Sequence, residues 1–198
     1  MGNERLTAFS DGVFAIIITI MVLELKVPHG TDLAALSGLL PIFLAYVLSF
    51  VVVGIYWNNH HHMFCLTDRV TGGILWANLH LLFWISLMPF VTAWMGENHF
   101  APLPTALYGV VPMFSGVAYF ILERTIIRSQ GAGSKLKAAV GSDAKGKISV
   151  LLYAIGIPLA FVHQILADAT YVLVALMWLI PDRRIEALFN ETAEERGV

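Results

Sequence analysis

Charged residues divide this chain into long uncharged blocks. Asp, Glu, Lys and Arg are missing from 33–66, 70–96, 98–122 and 148–167, and from the shorter stretches 12–23 and 169–181. A hydrocarbon core of roughly 30 Å needs about 20 helical residues at ~1.5 Å each, so each long block crosses once. As one helix, 148–181 would reach roughly 50 Å, too long for a single crossing. It therefore divides into two spans that turn near 163–170. The pattern predicts an all-α integral membrane domain over 1–198, with six transmembrane helices at about 6–26, 34–63, 71–95, 103–124, 148–164 and 168–181.

Between the fourth and fifth spans lies the longest polar segment, RSQGAGSKLKAAVGSDAKGK at 128–147. Its glycines and lysines predict a flexible cytoplasmic linker. Pro112 and Pro158 fall inside predicted helices and should kink them, which membrane helices tolerate when neighbours satisfy the freed carbonyls.

Composition identifies the solvent. At 58% hydrophobic, 13% charged and mean hydropathy +0.74, 198 residues carry more apolar surface than a soluble domain of this size buries. Lipid must cover the remainder. Lys and Arg in short loops set orientation, and six spans with both termini cytoplasmic place eleven of the 12 basic residues inside, with only Lys26 outside. Five spans would move Arg183, Arg184 and Arg196 across and weaken that asymmetry.

The first span reads as a retained helix, not a cleaved signal: Glu4 precedes the apolar run, which ends on Glu24, Lys26 and Pro28 instead of small residues. The basic residues are explained by topology, so the net charge of −2 does not point to nucleic acid. Cys65 is the only cysteine, which excludes an intrachain disulfide.

The first helix carries the most distinctive chemistry. At ~100° per residue, Arg5, Phe9, Gly12, Ile16, Ile20 and Leu23 fall within about 40° of one line, with Thr19 on its flank. Asp11 lies on the other side. An acid near the membrane is costly and faces protein or water, so it needs partners. Six spans bring the inner ends of the second and third helices beside it, and Ser10, Asp11, His60 and Asn78, with Trp76 donating from its indole, make a network that satisfies every member. Consecutive His60, His61 and His62 point ~100° apart and cannot converge on one metal ion. No resident metal or cofactor is expected.

The motif around Asp11 is recognisable. R-x-x-x-F-S-D, here Arg5, Phe9, Ser10 and Asp11, followed by an Ile-rich run with Thr19, resembles the signature of the transmembrane protein 175 family. The likeness continues through Trp57, His60 and Phe64, through Trp76 and Asn78, and through Leu87, Pro89, Phe90 and Thr92. That family comprises potassium-permeable channels whose bacterial members are single six-helix units of this length.

The resemblance implies a homotetramer in the cell inner membrane, with the first helices around a central pore and no carbonyl filter; T-V-G-Y-G is absent here too. It implies a constriction at Ile16 and Leu23, with Thr19 as a polar layer and Ile20 between, and potassium as the permeant ion. Arg5, Phe9, Ser10, Asp11, Trp57, His60, Trp76 and Asn78 would then support the pore helix.

Two other classes fit the composition. A secondary transporter would place ionisable groups or broken helices near the midplane, where the first helix is apolar. A non-conducting structural subunit is compatible with the pattern. An enzyme is not expected, because no nucleophile–base pair, paired carboxylates or metal spacing converges.

Overall fold

The computed structural model describes residues 3–67, 69–141 and 143–179. All regular structure among them is helical: α1 (Asn3–Leu23), α2 (Leu33–Ser37), α3 (Leu40–Cys65), α4 (Gly72–Ser86), α5 (Met88–Glu97), α6 (Pro102–Gln130), α7 (Lys135–Val140), α8 (Ala144–Val162) and α9 (Gln164–Leu179). Thr71 caps α4 by accepting from the Ile74 amide, and Asp143 caps α8 by accepting from that of Gly146. Pro41 and Pro102 sit in the first turns of α3 and α6, where a missing N–H costs nothing.

Five helical stretches are long and apolar enough to cross a membrane: α1, α3, α4 with α5, α6 and α8. α9 is apolar but has 16 residues, roughly 24 Å of helix. The sixth expected span is thus the short one, and the end of its predicted range, 180–181, lies outside the described residues.

The third stretch is interrupted. Leu87 separates α4 from α5, and its amide turns back to Trp84 O at 3.2 Å. Pro89, in the first turn of α5, has no N–H to continue the ladder. Pro112 and Pro158, the expected kink sites, lie inside α6 and α8. Segment 128–147, expected as a flexible linker, carries helical turns. α6 runs on to Gln130, a 3-10 turn covers Gly131–Gly133, and α7 buries Leu136 and Ala139 on one face. Those two apolar positions, three apart, give this polar stretch a face to pack.

Successive long helices run antiparallel. Asn3 Nδ2 donates to Phe64 O (2.8 Å) and Thr67 O (3.1 Å), and Gln130 Nε2 donates to Leu66 O (2.6 Å), so the start of α1 lies level with the ends of α3 and α6. α8 and α9 fold back on each other at His163, and Trp178 Nε1 donates to Ser149 Oγ at 2.8 Å. At the opposite end Lys26 donates to Glu97, and that carboxylate raises the Lys26 pKa.

The helices approach closely at glycines. A Cβ on Gly96 would lie 2.8 Å from Ile42 Cα, so α5 and α3 meet backbone to backbone there. Neither backbone can yield as a side chain would. Gly96→Ala should therefore cost about 1–3 kcal/mol by overpacking, read as a lower unfolding temperature in detergent. Gly109 and Gly156 do the same for the ring of Tyr171, whose hydroxyl donates to Thr105 O at 3.2 Å.

Candidate functional site

α1 has two faces of different character. Leu6, Ser10, Phe14, Ile17 and Met21, spaced three and four apart, are buried against α3, α4 and α5. Arg5, Phe9, Gly12, Ile16, Thr19, Ile20 and Leu23 are all exposed on the other face, Ile16 at 58% and Leu23 at 77%. Thr19 Oγ1 donates to Ile16 O at 2.8 Å, so its hydroxyl hydrogen is held by the helix and its oxygen lone pairs remain outward.

Behind α1 runs a buried polar chain with a single direction. His60 Nε2 donates to Asn78 Oδ1 (2.8 Å), Asn78 Nδ2 donates to Ser10 Oγ (3.0 Å), and Ser10 Oγ donates to Leu6 O (3.0 Å). The direction follows from the end of the chain: a backbone carbonyl only accepts, so each earlier group must donate toward it. Ser10, His60 and Asn78 are fully buried. The His60 ring sits between Phe14 and Phe64, with centroids 5.6 and 4.6 Å away. Its Nδ1 is buried and has no hydrogen-bond partner among the described residues.

Asp11 is not part of that chain. Ser10 and Asp11 point ~100° apart, so with Ser10 turned inward Asp11 faces the flank, where Trp57 Nε1 donates to its Oδ1 at 3.0 Å. The structure therefore gives Asp11 the indole of Trp57, whereas the sequence suggested that of Trp76. Trp76 stands two residues before Asn78, about 200° away around α4, and is 75% exposed. Arg5 and Phe9 lie on the uncovered face of α1, away from the chain. Asp11→Ala and Trp57→Phe should each destabilise the protein by about 1–2 kcal/mol, as for hydrogen bonds to charged groups. The double variant should lose little more than either single one. Additive losses in thermal unfolding would show that the two side chains act separately.

His61 Nε2 lies 3.5 Å from Cys65 Sγ, and among the described residues no three His, Cys, Asp or Glu side chains group as metal ligands. Sequence reasoning did not find the Asn3 clasp on α3, nor the buried cluster in which Ser49 donates to the Tyr108 hydroxyl at 3.2 Å and Thr92 Oγ1 lies 2.6 Å from Ser49 Oγ. The only available signal was a small polar residue within each apolar stretch.

Residues 5–89 match the family model described as the endosomal/lysosomal potassium channel TMEM175. A potassium channel of Chryseobacterium sp. (strain P1-3) is 58% identical over 191 residues, covering 96% of this chain and 100% of the relative. The chain belongs to the TMEM175 family. The crystal structure of a lysosomal potassium-selective channel TMEM175 homologue from Chamaesiphon minutus superposes with a TM-score of 0.79 at 27% identity, covering 90% of this chain and 96% of that one. The human endosomal/lysosomal proton channel TMEM175 is 34% identical over 116 residues, 52% of this chain and 23% of its own length. Membership makes this a multi-pass membrane protein of a channel family, and channels are not enzymes.

Proposed function

We propose that the chain is one subunit of a homotetrameric, potassium-permeable channel of the cell inner membrane, with α1 of each subunit lining a central pore. The observation that carries this reading is the uncovered face of α1. Residues 16, 19, 20 and 23 are exposed in the isolated subunit while the opposite side of the same helix is packed. Six crossings, with α9 as the short last one, return the chain to the side on which it began. The pairing of Trp178 with Ser149 supports that path.

In such a ring the Ile16 side chains form an apolar constriction, which gates by dewetting: a small narrowing expels water and stops the ion. Potassium sheds water more readily than sodium, so a narrow passage with few replacement ligands favours it moderately. The outward Thr19 oxygens offer partial coordination in the next layer. Glu24, exposed at the far end of α1, adds negative potential at the mouth.

Unitary currents from purified protein in planar bilayers test the reading, with Ile16→Cys in a Cys65→Ala background. The expected result is a channel current that reverses with the potassium gradient and falls when a water-soluble thiol reagent modifies Cys at position 16. Current unaffected by modification would take Ile16 off the pore, and carrier-like flux without unitary events would favour a transporter. A reversal potential that follows pH instead of potassium would make the proton the permeant ion.

A further inference from the structure

On the side of α3 away from α1 there is a recess. A cavity of about 320 Å³ lies between α3, α6, α8 and α9, at the lower edge of the volumes typical of small-molecule sites. Its walls include Val52, Ile55, Phe120, Val150, Val174 and Ala175. Five of the polar side chains that also line it donate elsewhere. Tyr56 donates to Pro112 O (3.0 Å), Tyr119 to Asn59 O (3.2 Å), Asn59 Nδ2 to Ile55 O (2.8 Å), Trp178 Nε1 to Ser149 Oγ (2.8 Å) and Ser149 to Lys145 O (2.8 Å). What these residues present to the cavity is mostly ring face and carbon. A buried water needs two to four polar partners, so the interior suits a hydrocarbon better than solvent.

The lining is polar at one end. Asp143 and Lys147, both lining residues, stand at the start of α8, where the chain re-enters the bundle after the polar segment. Lys147 is exposed; burial raises the Asp143 pKa, and the Gly146 amide, Lys147 and Arg124 act against it in that order. The lining also includes Phe120 of α6, 38% exposed, with the Arg124 guanidinium 4.9 Å over its ring. The recess therefore combines an apolar trough at membrane depth, an opening on the outer surface of the bundle, and a pair of opposite charges at one end.

We propose that this cavity binds one acyl chain of a zwitterionic membrane phospholipid of the ethanolamine class, with its ammonium at Asp143 and its phosphate at Lys147. The bilayer is the occupant's source, because hydrocarbon chains surround a spanning bundle at this depth. Glu123 and Arg124 of α6 act on the same two groups, so the mouth carries both signs twice over and matches a head carrying both, whereas a singly anionic head would leave the two carboxylates facing like charge. The occupant would rest against Val52, Ile55 and Asn59 of α3, while Trp57 and His60 on the other side of that helix hold α1. Binding here does not depend on the chain conducting ions.

The test is native mass spectrometry of the detergent-purified protein after reconstitution in vesicles of equal phosphatidylethanolamine and phosphatidylglycerol. Wild type should retain an ethanolamine phospholipid adduct through delipidation. Ala175→Phe, which fills the trough, should lower the adduct fraction at least tenfold. Lys147→Glu, an exposed change at the mouth that leaves wall packing alone, should lower it severalfold and stands in if the filled variant does not fold. No retained lipid in wild type, retention of the glycerol lipid alone, or an adduct unchanged in both variants would overturn the proposal. Because the readout is mass and not flux, a failure here is distinct from a failure of the channel reading.

Discussion

Ile16→Asn is expected to raise potassium flux through reconstituted protein at least tenfold and to erode its preference over sodium. A dry ring stops an ion because stripping its hydration shell has no compensation, and water itself avoids an apolar neck. An amide at the same position returns both donors and acceptors to the neck, so water columns persist and ions pass hydrated. Folding should be nearly untouched, since Ile16 is 58% exposed in the subunit and exposed positions usually change stability by no more than about 0.5 kcal/mol. The measurement is fluorescence-detected potassium and sodium influx into liposomes, with unfolding temperature as the control. Flux equal to wild type would remove Ile16 from the constriction, whereas a large loss of stability would mean its side chain is packed and not pore-facing.

Asn78→Ala should produce the opposite profile, a large loss of stability caused far from any ion. Asn78 joins His60 to Ser10, and all three are fully buried. Truncation leaves the His60 Nε2 hydrogen unpartnered in an apolar interior and removes the donor to Ser10 Oγ, which keeps its own bond to Leu6 O. At about 1–3 kcal/mol for the unsatisfied group and about 1 kcal/mol for the lost bond, the expected cost is about 2–4 kcal/mol. Ser10→Ala leaves the Asn78 Nδ2 hydrogen without its acceptor but keeps the His60–Asn78 bond, and should cost about 1–3 kcal/mol. Thermal unfolding in detergent separates the two. Equal unfolding temperatures for wild type and Asn78→Ala would mean that the chain contributes nothing to holding α1.

Which parts of this arrangement could be read from the amino-acid order follows from physical differences among the residues. The outward stripe of α1 was readable because helical phase is fixed by geometry, and phase alone separates Ile16 from Ile17. Elsewhere the same periodicity says little. On α4, Ile85 is fully buried and Phe83 is 56% exposed, yet both are apolar because lipid and core favour the same side chains. Burial patterns in a membrane bundle are therefore weakly encoded.

The partner of Asp11 illustrates a second limit. Trp57 and Trp76 are equally suitable donors in composition, and the choice between them depends on the rotation of α3 and α4 about their axes. The same applies to the prolines. Pro112 and Pro158 sit within α6 and α8 while the break between α4 and α5 falls just before Pro89, since neighbouring packing decides whether a missing N–H ends a helix. Segment 128–147 looked featureless because its glycines and lysines outnumber the Leu136 and Ala139 that give it a packed face.

α1 is joined to its own subunit near its start by Asn3, at its middle by Ser10 and Asp11, and just past its end by Lys26. A helix pinned at three heights can neither spin nor slide without breaking a pin. In the proposed tetramer, turning α1 like a key would break these contacts. The proposed bore would widen at less cost as an iris does, by whole blades pivoting against one another, or by the Ile16 side chains changing rotamer while the backbone stands still.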